Sequence, residues 1–202
     1  MSLAEPRRLP VEDAGVALRP FRAVDADALA ALVQASLPEL YPWLPWAHAG
    51  YGVDHAQAFI AHTHAGFASG GAHEFALWYQ DRLVGACGLN AVDPVYLRAN
   101  LGYWIASAEV GRGLVTRAVR QLIDWSFAET ALERLEIIAA VGNMRSQRVA
   151  ERVGAVREGV LARRVWVRSN PDLEPSPCVL DAGVLYAVVR PAQSGGAVDE
   201  AA

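Results

Sequence analysis

Gly111, Arg112 and Gly113 form the stretch with the clearest chemical potential, because they stand between an apolar run and a long amphipathic segment. A glycine-rich turn at the start of a helix leaves several backbone N–H groups unpaired at the positive end of the helix dipole. Such a turn suits a phosphate or pyrophosphate, and the Thr116 hydroxyl in the first helical turn adds a donor. By itself, the pattern fits a tight turn that needs small residues equally well.

Two familiar phosphate-binding motifs do not fit this turn. The dinucleotide fingerprint requires a third glycine, where this chain has Thr116, and no early βαβ unit precedes it. The Walker A motif requires a lysine, and all 18 basic residues of the chain are arginine. The absence of lysine also excludes Schiff-base chemistry and a lysine general base.

Composition favours one compact domain. The chain has 202 residues, of which 53% are hydrophobic and 20% charged, so disorder is expected only at its ends. The formal net charge of −4 argues against a nucleic-acid clamp, which needs a clustered basic surface. No apolar run approaches the ~20 residues of a membrane helix, and Cys87 and Cys178 lack disulfide or zinc spacing. A reduced, cytoplasmic setting is therefore expected, with neither nucleic acid nor a membrane as a direct partner.

The elements around the glycine turn alternate between strands and helices, which predicts a mixed α/β domain. Strands are predicted over 16–21, 74–79, 82–89, 101–106, 134–141, 156–167 and 184–190. Helices are predicted after Asp25, over 54–69, over 113–129 and over 143–154, with Asp25, Asp54 and Asn143 as N-caps. The almost wholly apolar run 101–106 predicts a strand buried on both faces. The proline-rich segment 168–180 predicts an inserted loop.

Seven segments follow one another in a specific order. They read LRPFRAVDADAL at 18–29, WLPW at 43–46, LVGACGLNAVD at 83–93, LGYWI at 101–105, AAVGNMRS at 139–146, ERVGAVREG at 151–159 and LYAVVR at 185–190. In this order they resemble the GCN5-related N-acetyltransferase (GNAT) superfamily, in particular its ribosomal-protein-serine or -alanine (RimJ/RimL-like) branch. The superfamily signature Q/R-x-x-G-x-G/A falls on 110–115, where Gly113 matches and Val110 and Val115 depart from the pattern.

The resemblance implies a GNAT fold of the α/β class. Such a fold has a mixed, mostly antiparallel central sheet, one splayed pair of parallel strands, here 101–106 and 134–141, and helices on both faces. It implies one acetyltransferase domain over 14–191, and composition predicts disordered tails at 1–13 and 192–202. Whether the chain forms a homodimer is left open.

Proteins of this kind bind acetyl-coenzyme A and pass its acetyl group directly to an amine. The resemblance implies that the pantetheine arm lies between the splayed strands and that the pyrophosphate contacts the amides of the glycine turn. The N–H near Ile105 would then bond the thioester oxygen as it becomes an oxyanion, a contact typically worth ~3 kcal/mol. The expected cofactor contacts are Trp104, Ile105, Ala106, Gly111, Arg112, Gly113, Leu114, Val115, Thr116, Asn143 and Arg148. For Arg148, a solvated basic face is an equal alternative.

Asn143 and Ser146 are the catalytic residues that the resemblance implies. Asn143 would bond the pantetheine region or an ordered water, and Ser146 would donate to the departing sulfur. The structural alternative is that Asn143 is a plain N-cap and Ser146 an ordinary first-turn residue.

The general base is not evident from the sequence. Members of the branch often carry glutamate where this chain has Asn100, and another member carries one where this chain has Val165. Asp93, Glu74 and Asp181 remain as candidates, as does a water chain. An α-amine, with a pKa of about 8, needs only a weak base because a sizeable fraction is already neutral.

Acceptor contacts are expected from Trp43, Trp46, Asn90 and Tyr103, although core packing explains the two tryptophans equally well. No metal is expected, because the histidines of the 54–69 helix have no carboxylate at ligand spacing.

The favoured function is acetyl-CoA-dependent acetylation of a protein N-terminal α-amine. Acetylation of a small amine (an aminoglycoside, polyamine or peptide toxin) is the first alternative, and a non-catalytic coenzyme A-binding protein is the second. A protein acceptor predicts a wide, open cleft. A small antibiotic acceptor predicts an enclosed acidic pocket near 41–46 and 168–180.

Overall fold

Seven strands assemble into one sheet in the computed structural model, which describes residues 13–169 and 175–192. The strands are β1 (Val16–Pro20), β2 (His73–Tyr79), β3 (Arg82–Asp93), β4 (Arg98–Ile105), β5 (Arg134–Ala140), β6 (Val156–Arg168) and β7 (Cys178–Val189). The helices are α1 (Ala26–Ala35), α2 (Leu37–Leu40), α3 (Val53–Ser69), α4 (Leu114–Glu129) and α5 (Met144–Arg152). None of the helices in the described ranges combines the length and apolarity that a membrane span requires.

The sheet order is β1-β2-β3-β4-β5-β7-β6, and every neighbouring pair is antiparallel except β4 and β5. The parallel pair is short. It joins 98 to 134, 99 to 135 and 100 to 136, although both strands continue beyond that point. This arrangement confirms the predicted mixed α/β fold with a mostly antiparallel sheet and one splayed parallel pair.

Helices cover both faces of the sheet and divide the core in two. On one face α4 buries its apolar stripe, including Ala118, Val119 and Leu122, against strand residues such as Leu77. On the other face α1 and α3 pack on the alanine-rich surface of β2 and β3. Each fully buried leucine stabilises the fold by about 1.5–3 kcal/mol because its side chain leaves water. The two helix layers therefore stabilise the sheet in which the cleft lies.

The structure corrects three local predictions. Asp54 is not an N-cap: Gly52 holds that position, and its N–H donates to His55 Nδ1 at 3.2 Å. The apolar strand β4 is not buried on both faces, because Gly102 to Ile105 are half-buried where β5 has parted from it. The inserted loop is shorter than predicted, since β7 already begins at Cys178.

The predictions about the two tails and the inserted loop concern residues that the structure describes only in part. The tails at 1–12 and 193–202 and residues 170–174 of the predicted loop lie outside the described residues.

Candidate active site

A cleft opens where β4 and β5 part, and its volume is about 1050 Å³. Its wall includes every expected cofactor, acceptor and catalytic residue except Ala106 and Arg112. The Ala106 N–H donates to Val84 O at 2.8 Å, so it points toward β3. Because N–H groups alternate sides along a strand, the N–H of Ile105 points the opposite way, toward the cleft. Ala106 is buried behind the wall and has no free N–H for a ligand.

The glycine turn lies at one end of this cleft. Gly111 and Gly113 have φ values of 85° and 75°, a left-handed conformation that glycine adopts without strain. A Cβ at either position would meet nothing within 4 Å, so the backbone conformation rather than crowding requires glycine here. Gly113 is the N-cap of α4. The first backbone N–H groups of a helix have no intrahelical partner, which makes the turn a candidate anion site.

The Arg112 side chain does not line the cleft. It pairs with Glu109 and lies over the Tyr79 ring, with its guanidinium carbon 4.8 Å from the ring centroid. Glu109 also accepts from Arg82 at 3.1 Å. The expected cofactor contact of Arg112 is therefore limited to its backbone.

The first turn of α5 brings two hydroxyl groups together across the cleft. Asn143 caps the helix, because its Oδ1 accepts from the Ser146 N–H at 3.1 Å. The Tyr103 hydroxyl, on β4, donates to Ser146 O at 2.9 Å and lies 3.1 Å from Ser146 Oγ. Burial raises the pKa of Tyr103 well above its usual range, so this phenol stays protonated as a donor at neutral pH.

Aromatic side chains form part of the cleft wall. Trp43 packs against Gly142, where a Cβ would lie 3.3 Å from the indole Cη2. The Trp46 ring centroid is 6.0 Å from that of Trp104 and 5.8 Å from that of Tyr51. Both predicted tryptophans therefore face the cleft and also pack against neighbouring groups.

Arg168 holds this aromatic loop in place, a role that no sequence motif indicates. Its guanidinium donates to Pro45 O at 2.8 Å, Ala47 O at 3.1 Å and Ser176 O at 3.1 Å. It also lies over the Tyr41 ring, 4.5 Å from the centroid. No local pattern identifies these contacts, because two of the three carbonyl partners, Pro45 O and Ala47 O, belong to residues more than 120 positions away.

The three candidate bases separate in the structure. Glu74 lines the cleft, whereas Asp93 and Asp181 do not. Asp93 accepts from two backbone N–H groups, of Val95 and Tyr96, and these bonds lower the pKa of its carboxyl. The second position at which the resemblance suggests a glutamate holds Val165, an apolar residue of the cleft wall.

Asn90 and Asn100 join Glu74 in one hydrogen-bonded chain. Asn90 Nδ2 donates to Glu74 Oε1 at 3.0 Å, and Asn100 Nδ2 donates to Asn90 Oδ1 at 2.9 Å. Burial raises the pKa of the Glu74 carboxyl, and the bond from Asn90 acts in the opposite direction. The amide of Asn90 is therefore engaged by the protein, although the residue lines the cleft as expected.

Charged and imidazole groups at the rim complete the site. Arg148 is exposed on α5 beside Arg145 and Arg152, and all three line the cleft. Two histidines of the predicted 54–69 helix do not act together. His55 Nδ1 accepts from the Gly52 N–H at the start of α3, and His62 is exposed. Over the described ranges, no three potential metal ligands come together.

The Acetyltransferase (GNAT) domain family matches residues 16–156. The chain belongs to this family. YdaF of Bacillus subtilis (strain 168), provisionally named a ribosomal N-acetyltransferase, is 35% identical over 145 residues, which are 71% of this chain and 79% of YdaF. The ribosomal-protein-serine acetyltransferase of Escherichia coli (strain K12) is 33% identical over 103 residues, 51% of this chain and 58% of that protein.

A solved structure supports the same assignment for this GNAT acetyltransferase. RimJ of Mycobacterium smegmatis, determined in complex with CoA-disulfide, superposes with a TM-score of 0.76 at 27% identity. The superposition covers 91% of this chain and 85% of RimJ. It therefore extends beyond the segment that the family matches.

Proposed function

We propose that this enzyme transfers the acetyl group of acetyl-CoA to the N-terminal α-amine of a protein, with a ribosomal protein as the acceptor class. The observation that carries the proposal is the parting of β4 and β5 directly beside the left-handed Gly111–Gly113 turn. The names of the Escherichia coli and Bacillus subtilis relatives support the acceptor class.

The residues of the cleft fit coenzyme A in two respects. The glycine turn offers the N–H groups at the start of α4 to a pyrophosphate, which suits an acidic chain because backbone donors need no net positive charge. The inward-facing N–H of Ile105 and the exposed edge of β4 offer the donors that an extended pantetheine arm would use as an added strand.

Acetyl-CoA supplies an acetyl group activated as a thioester. In this proposal the Ile105 N–H bonds the carbonyl oxygen and the Ser146 hydroxyl donates to the leaving sulfur, while the Tyr103 hydroxyl, bonded to Ser146 O, positions Ser146. Cys87 is buried, and burial raises the pKa of its thiol well above its usual range, so it stays a neutral thiol. We expect direct transfer without a covalent enzyme intermediate.

The acceptor wall favours a peptide over a polycationic antibiotic. Segment 41–46 contributes Trp43, Leu44 and Trp46 to the cleft, and none of these carries a charge. Aromatic rings at this point suit the backbone and apolar side chains of an entering peptide.

A thiol-release assay with acetyl-CoA tests this function. The acceptor panel contains peptides that begin with serine or alanine, the same peptides with a blocked N-terminus, spermidine and an aminoglycoside. We expect turnover with the free peptides and none with the blocked ones. Preferred turnover of spermidine or the aminoglycoside would overturn the acceptor assignment. Tight coenzyme A binding with no turnover would point to a non-catalytic protein.

A further inference from the structure

Glu74 lies in a row of the sheet that is otherwise free of side chains. The register of β2, β3 and β4 aligns Glu74 with Gly88 and Gly102. A Cβ at Gly88 would lie 2.1 Å from Glu74 Oε2, so the carboxylate occupies the space that any other residue would fill. The glycines thus leave a gap in the floor of the cleft through which a half-buried carboxylate reaches the cavity.

Two asparagines fix the carboxylate in that gap. Asn90 donates to Glu74 Oε1, and Asn100 in turn donates to Asn90. Asn90 and Asn100 are themselves a cross-strand pair on β3 and β4, two positions from the glycine row and on the same face. Oε1 accepts the amide of Asn90, and Oε2 lies over the bare backbone of Gly88.

The other carboxylates of the cleft are engaged differently. Among the described residues that line it, the carboxylates are Glu39, Glu74 and Glu109. Glu109 pairs with Arg82 and Arg112, which stabilise its charged form. Glu39 is exposed and accepts from the Ser107 hydroxyl. Glu74 is the half-buried carboxylate of the three whose described side-chain partner is neutral, so no described cation holds its charged form.

We propose that Glu74 is the proton acceptor for the incoming amine, with Asn90 as its positioning residue and Asn100 behind it. The inference rests on the proposed function. Glu74 takes the proton that an ammonium must lose before its lone pair is free, and later returns it to solvent. The neutral nitrogen forms a bond to the acetyl carbon, the carbon–sulfur bond breaks, and the second nitrogen proton ends on the sulfur.

The surroundings of Glu74 suit a base that works near neutral pH. Burial raises the pKa of its carboxyl toward that of an α-amine, which improves the match between donor and acceptor. The titratable and charged groups on the elements around the cleft are Glu39, His48, Tyr51, His55, Tyr103, Glu109, Arg145, Arg148 and Arg152, and Cys87 lies on the neighbouring strand. Burial remains the largest influence on Glu74 itself.

The direct test is the pair of variants Glu74→Gln and Glu74→Asp, assayed with a serine peptide across pH. We expect Glu74→Gln to lower kcat on the order of 100-fold, with coenzyme A affinity unchanged by calorimetry, and Glu74→Asp to recover part of the loss. With an aminooxy-terminated peptide, whose nitrogen is already neutral at neutral pH, the Glu74→Gln defect should shrink markedly. If Glu74 had only a structural role, Glu74→Gln would lower kcat equally for the serine peptide and the aminooxy peptide.

Asn90→Ala tests the positioning residue. It removes the bond that lowers the pKa of Glu74, so the ascending limb of the pH profile should move to higher pH. Asp181→Asn is the matched control, because Asp181 is an exposed carboxylate outside the cleft, and it should retain wild-type rates. A wild-type enzyme that turns over while Glu74→Gln retains more than half its rate would overturn the assignment of Glu74 alone. A wild-type enzyme that binds coenzyme A but acetylates no amine would overturn the proposed function and, with it, this role.

Discussion

Gly113 is the residue on which coenzyme binding depends most directly. Its φ of 75° costs a non-glycine residue about 1–3 kcal/mol, and a carboxylate there would also repel a pyrophosphate. We expect Gly113→Glu to weaken coenzyme A binding by about 100-fold or more. Calorimetry measures this, with Gly159→Glu as a control that adds the same charge where a Cβ meets nothing within 4 Å. Unchanged affinity in a folded Gly113→Glu protein would contradict the location of the anion site.

The hydroxyl groups of Tyr103 and Ser146 are expected to determine how the leaving sulfur is stabilised. Tyr103→Phe and Ser146→Ala each remove one hydroxyl from a pair 3.1 Å apart. Because Ser146 donates to the leaving sulfur and Tyr103 positions it, each variant should lower kcat by roughly 10- to 100-fold while KM for acetyl-CoA changes little. The double variant should lose little more than either single one, because the two hydroxyls act as a unit. Small, equal effects on kcat and KM would show that both hydroxyls have only a structural role at the start of α5.

At the scale of elements, Arg168 connects the end of β6 to the aromatic loop. Arg168→Ala removes its bonds to Pro45, Ala47 and Ser176, with an expected loss of about 2 kcal/mol in the free energy of unfolding. Because the loop forms the acceptor wall, KM for the peptide should rise while coenzyme A affinity stays the same. Peptide kinetics and urea denaturation measure both effects, and the exposed Arg164→Ala is the control. An unaltered KM for the peptide in Arg168→Ala would show that Arg168 does not position the acceptor wall.

The elements themselves were largely predictable, and the exceptions have physical causes. The apolar face of α4 and the N-cap of α5 at Asn143 depend only on the spacing of residues close in the chain, so both could be predicted from the sequence. The exposed side of β4 was not predictable from its apolar residues, because it depends on where a strand 30 or more positions later diverges. The sequence suggests Glu74 and Asn90 as candidates, but neither the role of Arg168 nor the hydrogen bonds that link Glu74, Asn90 and Asn100 were predictable, because cross-strand and loop-to-strand contacts leave no local pattern.

At the scale of the whole molecule, His73 makes the fold sensitive to acid. It is fully buried against Phe67 and Trp125, and no described protein group hydrogen-bonds either ring nitrogen. Burial lowers the pKa of His73 below its usual 6.5. The unfolded chain therefore binds a proton below that pH while the folded chain does not, so stability falls as pH drops toward the folded pKa.

His73→Phe should remove this acid sensitivity. The difference in free energy of unfolding between neutral pH and about pH 5 should be smaller in His73→Phe than in the wild type. Urea denaturation at the two pH values measures it, and the exposed His62→Gln should retain the wild-type dependence. An identical loss in His73→Phe would show that other groups cause the acid response.

The most direct test of the central claim is where the acetyl group goes on a peptide that carries two amines. A serine-initiated peptide with an internal lysine is incubated with the enzyme and acetyl-CoA, and fragment masses locate the modification. We expect one acetyl group, on the α-nitrogen, formed in step with thiol release. Acetylation of the lysine side chain, or thiol release without an acetylated peptide, would contradict N-terminal acetyl transfer in this cleft.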